Sequence, residues 1–507
     1  MSCVVLLTRR PAWLLDGHGA ARTAARLLMP GRPVTAHPTA RPSATEDPIR
    51  RRAVSGFTLY DVANSAFVTT VITAVGGPFL TSLAEQAARP DGRVDLLLFA
   101  PRGDALFAYA ISLSVLLQVL CLPVLGALAD RATAKRRVLV LATAIGSIAT
   151  LCLAAAPEGA IVLGLLALVV ANLSYGAAIL AYNAYLADVA ELPDRDRVSG
   201  RGYAAGYAGG AFVLVVALVL VQSADALGIS TSTAARLAIA VSALWWAAVA
   251  VLAIRRLDAV QQLPGYDGSR SNERLGRQVA ASLDQLKGSF AALRALPGTA
   301  RYLLAFLLFN DAIQAVIALS AVVLANELFV AKGLDRDDAT PFLLQLILLI
   351  QVVAVFGAAG SSRLSARIGA KRTLLATIVV WIGIVVYAVV ALDSTTAAYV
   401  LGVFIALVLG GSQALARSLF SSMTPAHRQA SFFGFYELAE RGTAWIGTLV
   451  FAVVLDVTGS YRSALLSLLV LFVTGGLLLA TVDTDAAIAK AREVEETGDP
   501  SHPVVPS

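Results

Sequence analysis

Asp61 with Asn64, and Asp311 with Gln314, repeat one arrangement: an acid followed three residues later by a carboxamide, inside otherwise apolar stretches. Residues at this spacing share a helix face, so each pair would present a carboxylate and a hydrogen-bonding amide together. A charged side chain in hydrocarbon costs about 2.5–3.5 kcal/mol on insertion scales, which makes each one a candidate for binding a polar solute or carrying a proton. For Asp311, preceded by Asn310, the alternative is a structural bond between helices; for Asp61 it is a gate or structural role. Arg417 and the trio Glu437, Glu440 and Arg441 form a second group. The trio shares a helix face and reads either as mutually neutralising charges near the inner membrane surface or, with Arg417, as a clamp for a solute carboxylate. Tyr182 and Asn183 either line a cavity or anchor at the interface. The four histidines (18, 37, 427, 502) lie outside the confident apolar spans and the three cysteines (3, 121, 152) are scattered. That leaves no imidazole relay, disulfide framework or metal site. Proton chemistry falls to carboxylates, no cofactor is implied, and a membrane-embedded enzyme lacks the cluster it would need.

The elements that must position these groups are membrane spans. The chain is 57% hydrophobic and 15% charged with a mean hydropathy of +0.74, against about 25% charged in soluble domains. Apolar segments predict twelve spans, near 57–83, 104–129, 138–156, 160–187, 202–222, 235–254, 301–328, 340–361, 373–392, 396–420, 431–455 and 461–481. The expected fold is therefore an all-α polytopic membrane protein. Its domains are a disordered basic tail (1–52), a six-helix bundle (53–254), a linker (255–299), a second six-helix bundle (300–481) and a disordered tail (482–507). For 1–52, a transit peptide and an over-extended start site are alternatives. Asp311 falls about ten residues into its span, some 15 Å deep at 1.5 Å per residue, and Asp61 only about a turn into its own.

Lys and Arg gather in the loops after spans 2, 4, 6, 8 and 10. By the positive-inside rule that side is cytoplasmic and holds both termini; the net charge of +6 then needs no nucleic acid. Within 272–296, Leu275, Val279, Leu283, Leu286, Phe290, Leu293 and Leu296 recur at spacings of three and four, predicting an amphipathic helix on the membrane surface.

The loop from Gly126 to Arg137 and the loop from Ser362 to Arg372 match each other, as do the regions around Pro193 and Pro425. Such matches predict two parallel six-span repeats. The first loop, Gly126-Ala-Leu-Ala-Asp130-Arg131-Ala-Thr133-Ala-Lys135-Arg136, resembles the cytoplasmic signature of the major facilitator superfamily, with Thr133 in place of a glycine. In the second copy Ala366 replaces the acid. The resemblance implies a gate in which Asp130 and Arg131, with Lys135, Arg136, Arg367, Lys371 and Arg372, lock helix ends together in one state and release them in the other.

Leu59-Tyr60-Asp61-Val62-Ala63-Asn64-Ser65-Ala66-Phe67, the run Tyr182 to Asp188, Arg197 to Gly202, Phe309 to Gln314, Gln413 to Phe420 and Phe432 to Tyr436 resemble the vacuole-effluxer-like branch of that superfamily over roughly residues 55–480. Val62 stands where that family usually has Trp, and Glu437 and Glu440 where it has small residues. The resemblance implies a transporter that works by alternating access and exports amino acids such as leucine and tyrosine. Carriage of a drug, lipid, sugar or peptide is the alternative, and a channel is the third. Gly202, Gly206 and Gly210 form a stripe that lets another helix approach closely; it resembles the fifth span of drug exporters, except that Tyr207 replaces their proline. Lysine supplies five of the forty basic residues, as in high-GC bacterial genomes, which points to a plasma membrane. The expected partners are the bilayer, a small solute and protons, and the expected state is a monomer.

Overall fold

The computed structural model describes residues 46–96, 100–129, 132–190, 195–263, 293–294, 296–424, 436 and 445–497. Asp130, Arg131, Glu437, Glu440, Arg441, the N-terminal tail to residue 45 and most of the expected linker helix lie outside them.

The first six helices are α1, running through Glu46–Ala66, Phe67–Val75 and Gly76–Ala87, then α2 (Leu106–Ala129), α3 (Ala132–Ala154), α4 (Ile161–Asn183), α5 (Arg195–Gln222) and α6 (Thr231–Leu257). After the linker come α7 (Pro297–Leu328), α8 (Ala339–Ile368), α9 (Ala370–Val390), α10 (Thr395–Ser422), α11 (Ile446–Thr458) and α12 (Tyr461–Thr481), followed by a terminal α13 (Thr484–Thr497). Among the described residues eleven helices are long and apolar enough to cross a membrane. The described part of the remaining span is α11, with 13 residues.

Helix ends follow local chemistry. Ser230, Ser394 and Ser460 accept backbone N–H bonds from Thr233, Ala397 and Ser463 and so cap α6, α10 and α12. Gly459, at φ 66°, closes α11 in the left-handed conformation that glycine adopts without steric cost. Within the bilayer no water serves the backbone, so helical hydrogen bonding must be complete along each span. The exception to regular α geometry is the middle of α1, where the nine residues Phe67–Val75 are π-helical.

The two halves pack alike. α1 lies on α5 and α6 as α7 lies on α11 and α12; α4 lies on α2 and α3 as α10 lies on α8 and α9. This is the parallel repeat expected from the loops. Between halves, α1 meets α7, α2 meets α11 and α5 meets α8.

Three expectations are corrected. α1 begins at Glu46 rather than near residue 57, because a helix can run on into water once its apolar turns are anchored. The 1–52 tail therefore ends earlier, and Asp61 lies about four turns from the start of α1, as Asp311 does from the start of α7. The two acids are thus placed alike along their helices. Finally, Thr484–Thr497 is helical rather than irregular: Asp483 accepts the backbone N–H groups of Asp485 and Ala486 at its start, and Ala487 and Ala491 are buried.

Candidate functional site

A cavity of about 770 Å³ opens between the halves. The π-helical stretch of α1 contributes Thr69 and Thr73, and α5 contributes Tyr207. From the second half come Ser320 of α7, Gln351 of α8 and Gln413 of α10. Most of the remaining wall is aliphatic, and the space extends among α8, α9, α10 and α12. No charged residue lines it among the described residues.

The sequence-derived carboxylates lie outside its lining. Asp61 lies on one stripe of α1 with Ser65 and Thr69, at intervals of four residues, about 12 Å along the helix from the cavity-lining Thr69. Its Oδ2 accepts a 2.6 Å bond from the Tyr182 hydroxyl. Tyr182 is held by stacking against Phe57 and Tyr60, with centroids 4.3 and 5.1 Å away. The Ser65 and Thr69 hydroxyls each donate to the carbonyl four residues back, leaving their lone pairs free to accept.

Opposite this stripe runs the glycine stripe of α5. A Cβ on Gly202 would lie 2.4 Å from Asp61 Oδ2, one on Gly206 2.8 Å from Ser65 Oγ, and one on Gly210 2.9 Å from Thr69 Cγ2. The glycines and the polar stripe are one interface. Gly209, which no sequence spacing singled out, meets backbone instead, with Val62 backbone atoms 2.9 and 3.0 Å from its would-be Cβ.

Asp311 is 1% exposed and faces α11 rather than the cavity wall. Its Oδ2 accepts the Gly447 backbone N–H at 2.7 Å, at the helix N-terminus where unpaired donors and the macrodipole favour an anion. Among the described residues its Oδ1 has no partner. Asn310 is buried beside it and Gln314 half-buried. Asn64 is also buried, with its Nδ2 unpartnered. Asn183 ends α4 half-buried, and Arg417 is exposed on α10.

The basic-loop residues bind within their own halves. Lys135 pairs with Asp188 at 2.5 Å, bonds the Ala184 carbonyl and sits 5.0 Å over the Tyr185 ring, tying α3 to the end of α4. Arg136 grips Asp258, just past α6, at 2.7 and 3.0 Å. In the second half Lys371 caps the end of α12 through the Ala480 and Val482 carbonyls, while Arg367 and Arg372 are exposed. Removing one member of a largely buried pair strands its partner, at about 3–5 kcal/mol. We therefore expect Lys135→Met to lower the melting temperature in detergent far more than Lys371→Met, which strands no carboxylate.

Sequence reasoning missed the uncharged cavity lining, since Thr, Ser and Gln in a span look like any interhelix partner. It also missed contacts at the end opposite the basic loops, where Glu85 meets Arg336, and Asp456 meets Arg93, Arg102 and Tyr109. The signal available was the length of the 84–103 loop.

Two like-packed six-helix halves around a shared cavity define a membrane transporter of the major facilitator type. Solved structures of that fold superpose on it: the nucleoside transporter NupG, with a TM-score of 0.58 and 13% identity over 87% of this chain and 98% of that one, and a D-xylose-proton symporter, with 0.57 and 15% over 86% and 97%. At these identities the likeness is one of fold. The chain belongs to the family described as "Vacuole effluxer Atg22 like", whose model matches residues 49–492. It is 28% identical over 438 residues to the uncharacterized MFS-type transporter YxiO of Bacillus subtilis, covering 85% of this chain and 95% of that one. It is 22% identical over 470 residues to autophagy-related protein 22 of Yarrowia lipolytica, covering 76% and 77%. The family expected from the motifs is the family found, and the chain is a membrane transporter of a small solute.

Proposed function

We propose that the solute is an amino acid, carried across a bacterial plasma membrane by a monomer with both termini cytoplasmic, and that protons are coupled to its movement. The cavity carries this reading. It lies where both halves contribute, it takes a small organic solute, and Thr69, Thr73, Ser320, Gln351 and Gln413 offer hydrogen bonds within an aliphatic wall suited to an apolar side chain. Family membership supports the amino-acid class, and the arginine-rich composition supports the bacterial membrane. Asp311 and Asp61, placed alike in the two halves, are the proton-carrying candidates. No catalytic role is assigned to any residue.

The test is counterflow in proteoliposomes. Vesicles loaded with unlabelled leucine or tyrosine should take up the labelled solute saturably, with an overshoot that a channel would not give. Uptake no greater than in empty liposomes, from folded protein, would remove the amino-acid assignment and leave drugs, lipids, sugars and peptides to be screened by ligand stabilisation.

A further inference from the structure

Gln351 lies about 18 Å along α8 from the start of that helix and lines the cavity. Both polar atoms of its side chain are buried, yet among the described residues neither Oε1 nor Nε2 has a partner. A buried amide left in this state costs free energy until something bonds to it. The other glutamine of α8, Gln345, is by contrast in structural use, its Oε1 accepting the Tyr399 hydroxyl at 3.0 Å. Leu343 and Ile347 precede Gln351 at intervals of four on one stripe of α8, so the amide stands where the polar and aliphatic parts of the cavity meet. We infer that Gln351 grips the polar head of the solute while an aliphatic pocket inside the second half, among α8, α9 and α10, takes its tail, so that the transporter selects solutes by the length of an unbranched apolar chain.

The tail pocket is walled by hydrocarbon. Leu343 and Ile347 of α8, Val385 and Ala388 of α9, and Leu401 and Ile405 of α10 line it, and all six are buried. The lining that α9 and α12 contribute is wholly aliphatic. Enclosed space of this kind stays free of water and accepts hydrocarbon. It is also closed towards the bilayer: α9 exposes Val379, Val386 and Val390 on its outer face while Val385 and Ala388 turn inwards. A lipid chain therefore does not enter through α9, and the occupant comes from the central cavity.

The chemistry of the head follows from its neighbours. Gln351 offers both a carbonyl oxygen and N–H donors, and Ser320, whose hydroxyl already donates to the Ile317 carbonyl at 3.1 Å, keeps lone pairs with which to accept. Among the described residues no charged side chain lines the cavity, so a zwitterion or an amide suits it better than an ion of net charge. The size agrees, since about 770 Å³ lies in the range of sites for ligands well above the smallest solutes, and the surplus over a head group is aliphatic.

The inference rests on the central cavity being the solute site but not on the head being an amino acid, and the probes separate the two. Straight-chain amino acids from norvaline to 2-aminooctanoate, and straight-chain primary amides from pentanamide to octanamide, are titrated against the melting temperature of the whole protein in detergent. Each added methylene should tighten half-saturation by about fourfold. Tyrosine, whose hydroxyl the tail pocket would strand, should bind less tightly than 2-aminooctanoate. Ala388→Leu, which fills the pocket, should remove the gain for the longer members, and Ala388→Val should do so in part if the larger residue prevents folding. Gln351→Leu should weaken every member by about tenfold and leave the gain per methylene in place. Amides that follow the gradient while amino acids do not bind would keep the pocket and remove the amino-acid reading. Amino acids that bind without regard to chain length would overturn the pocket and keep that reading. No stabilisation by either series, or a gradient that both Ala388 variants leave unaltered, would overturn the pocket as well.

Discussion

Proteoliposomes containing Asp311→Asn are expected to exchange solute by counterflow at near the unsubstituted rate, yet to accumulate none when a pH gradient is imposed. With one proton coupled, a gradient of one pH unit is worth about 1.4 kcal/mol and sustains about a tenfold concentration ratio; the variant should stay near unity. The expectation follows from how Asp311 is held. One oxygen takes the Gly447 N–H at the start of α11 and the other is buried with no partner among the described residues, so the anion is half-satisfied, and a proton on that oxygen would relieve its desolvation. Asparagine has the same shape and can still accept from Gly447, but it carries no proton. Accumulation by the variant equal to the unsubstituted protein would move the coupling elsewhere, and Asp61, bonded to Tyr182, would be tested next. Loss of counterflow as well would make Asp311 a binding or structural residue instead.

The second large effect concerns Gly209. Alanine there places a methyl 2.7 Å from Val62 Cγ1 and about as close to backbone atoms of α1, which cannot swing aside. Overpacking commonly costs about 1–3 kcal/mol; with backbone on the other side of the clash the cost should reach the top of that range. Gly209→Ala should lower the melting temperature in detergent by about 10 °C, at roughly 2–4 °C per kcal/mol for a bundle of this size. Gly202→Ala makes the instructive contrast. Its nearest neighbour is a carboxylate oxygen at the end of the Asp61 side chain, which can rotate, so this variant should fold but displace Asp61 from Tyr182 and slow transport. Equal melting temperatures for the two variants would show that helix α5 shifts as a body to absorb either methyl.

Much of this molecule was legible in its residues. Hydropathy located the spans, the paired loops revealed the repeat, and the runs around Asp61, Tyr182, Asp311 and Gln413 pointed to the family. The helical period also put Asp61 and Asn64 on one face. It could not say what that face meets, because the glycine stripe of α5 shows only that something approaches closely. Nor could it separate Asp311, turned towards α11, from Ser320, turned into the cavity, since the two lie on one apolar helix with no polar face to orient it. The start of the first helix was misjudged where it runs into water, at Glu46, and the short helix from Thr484 was not foreseen, since apolarity stops there while backbone hydrogen bonding does not. The charges of the 84–103 loop read as ordinary loop residues: a partner some 350 positions away, as Asp456 is from Arg102, has no trace in local pattern.

The π-helical stretch of α1 has a rotational consequence for everything beyond it. Bonding each N–H to the carbonyl five residues back, rather than four, turns the chain through a smaller angle per residue and shortens its advance. Over the nine residues from Phe67 to Val75 these differences accumulate, so Glu85 faces Arg336 in an azimuth that a regular α-helix through the same residues would not produce. Winding this stretch from π to α would therefore screw the far end of α1 about its own axis while Asp61, on the near side, stayed in place against Tyr182. A single helix thus holds a polar stripe, a cavity wall and the Glu85 contact in one torsional register, and a residue inserted or deleted within Phe67–Val75 would reseat Thr69 and Thr73 as well as turn Glu85 away.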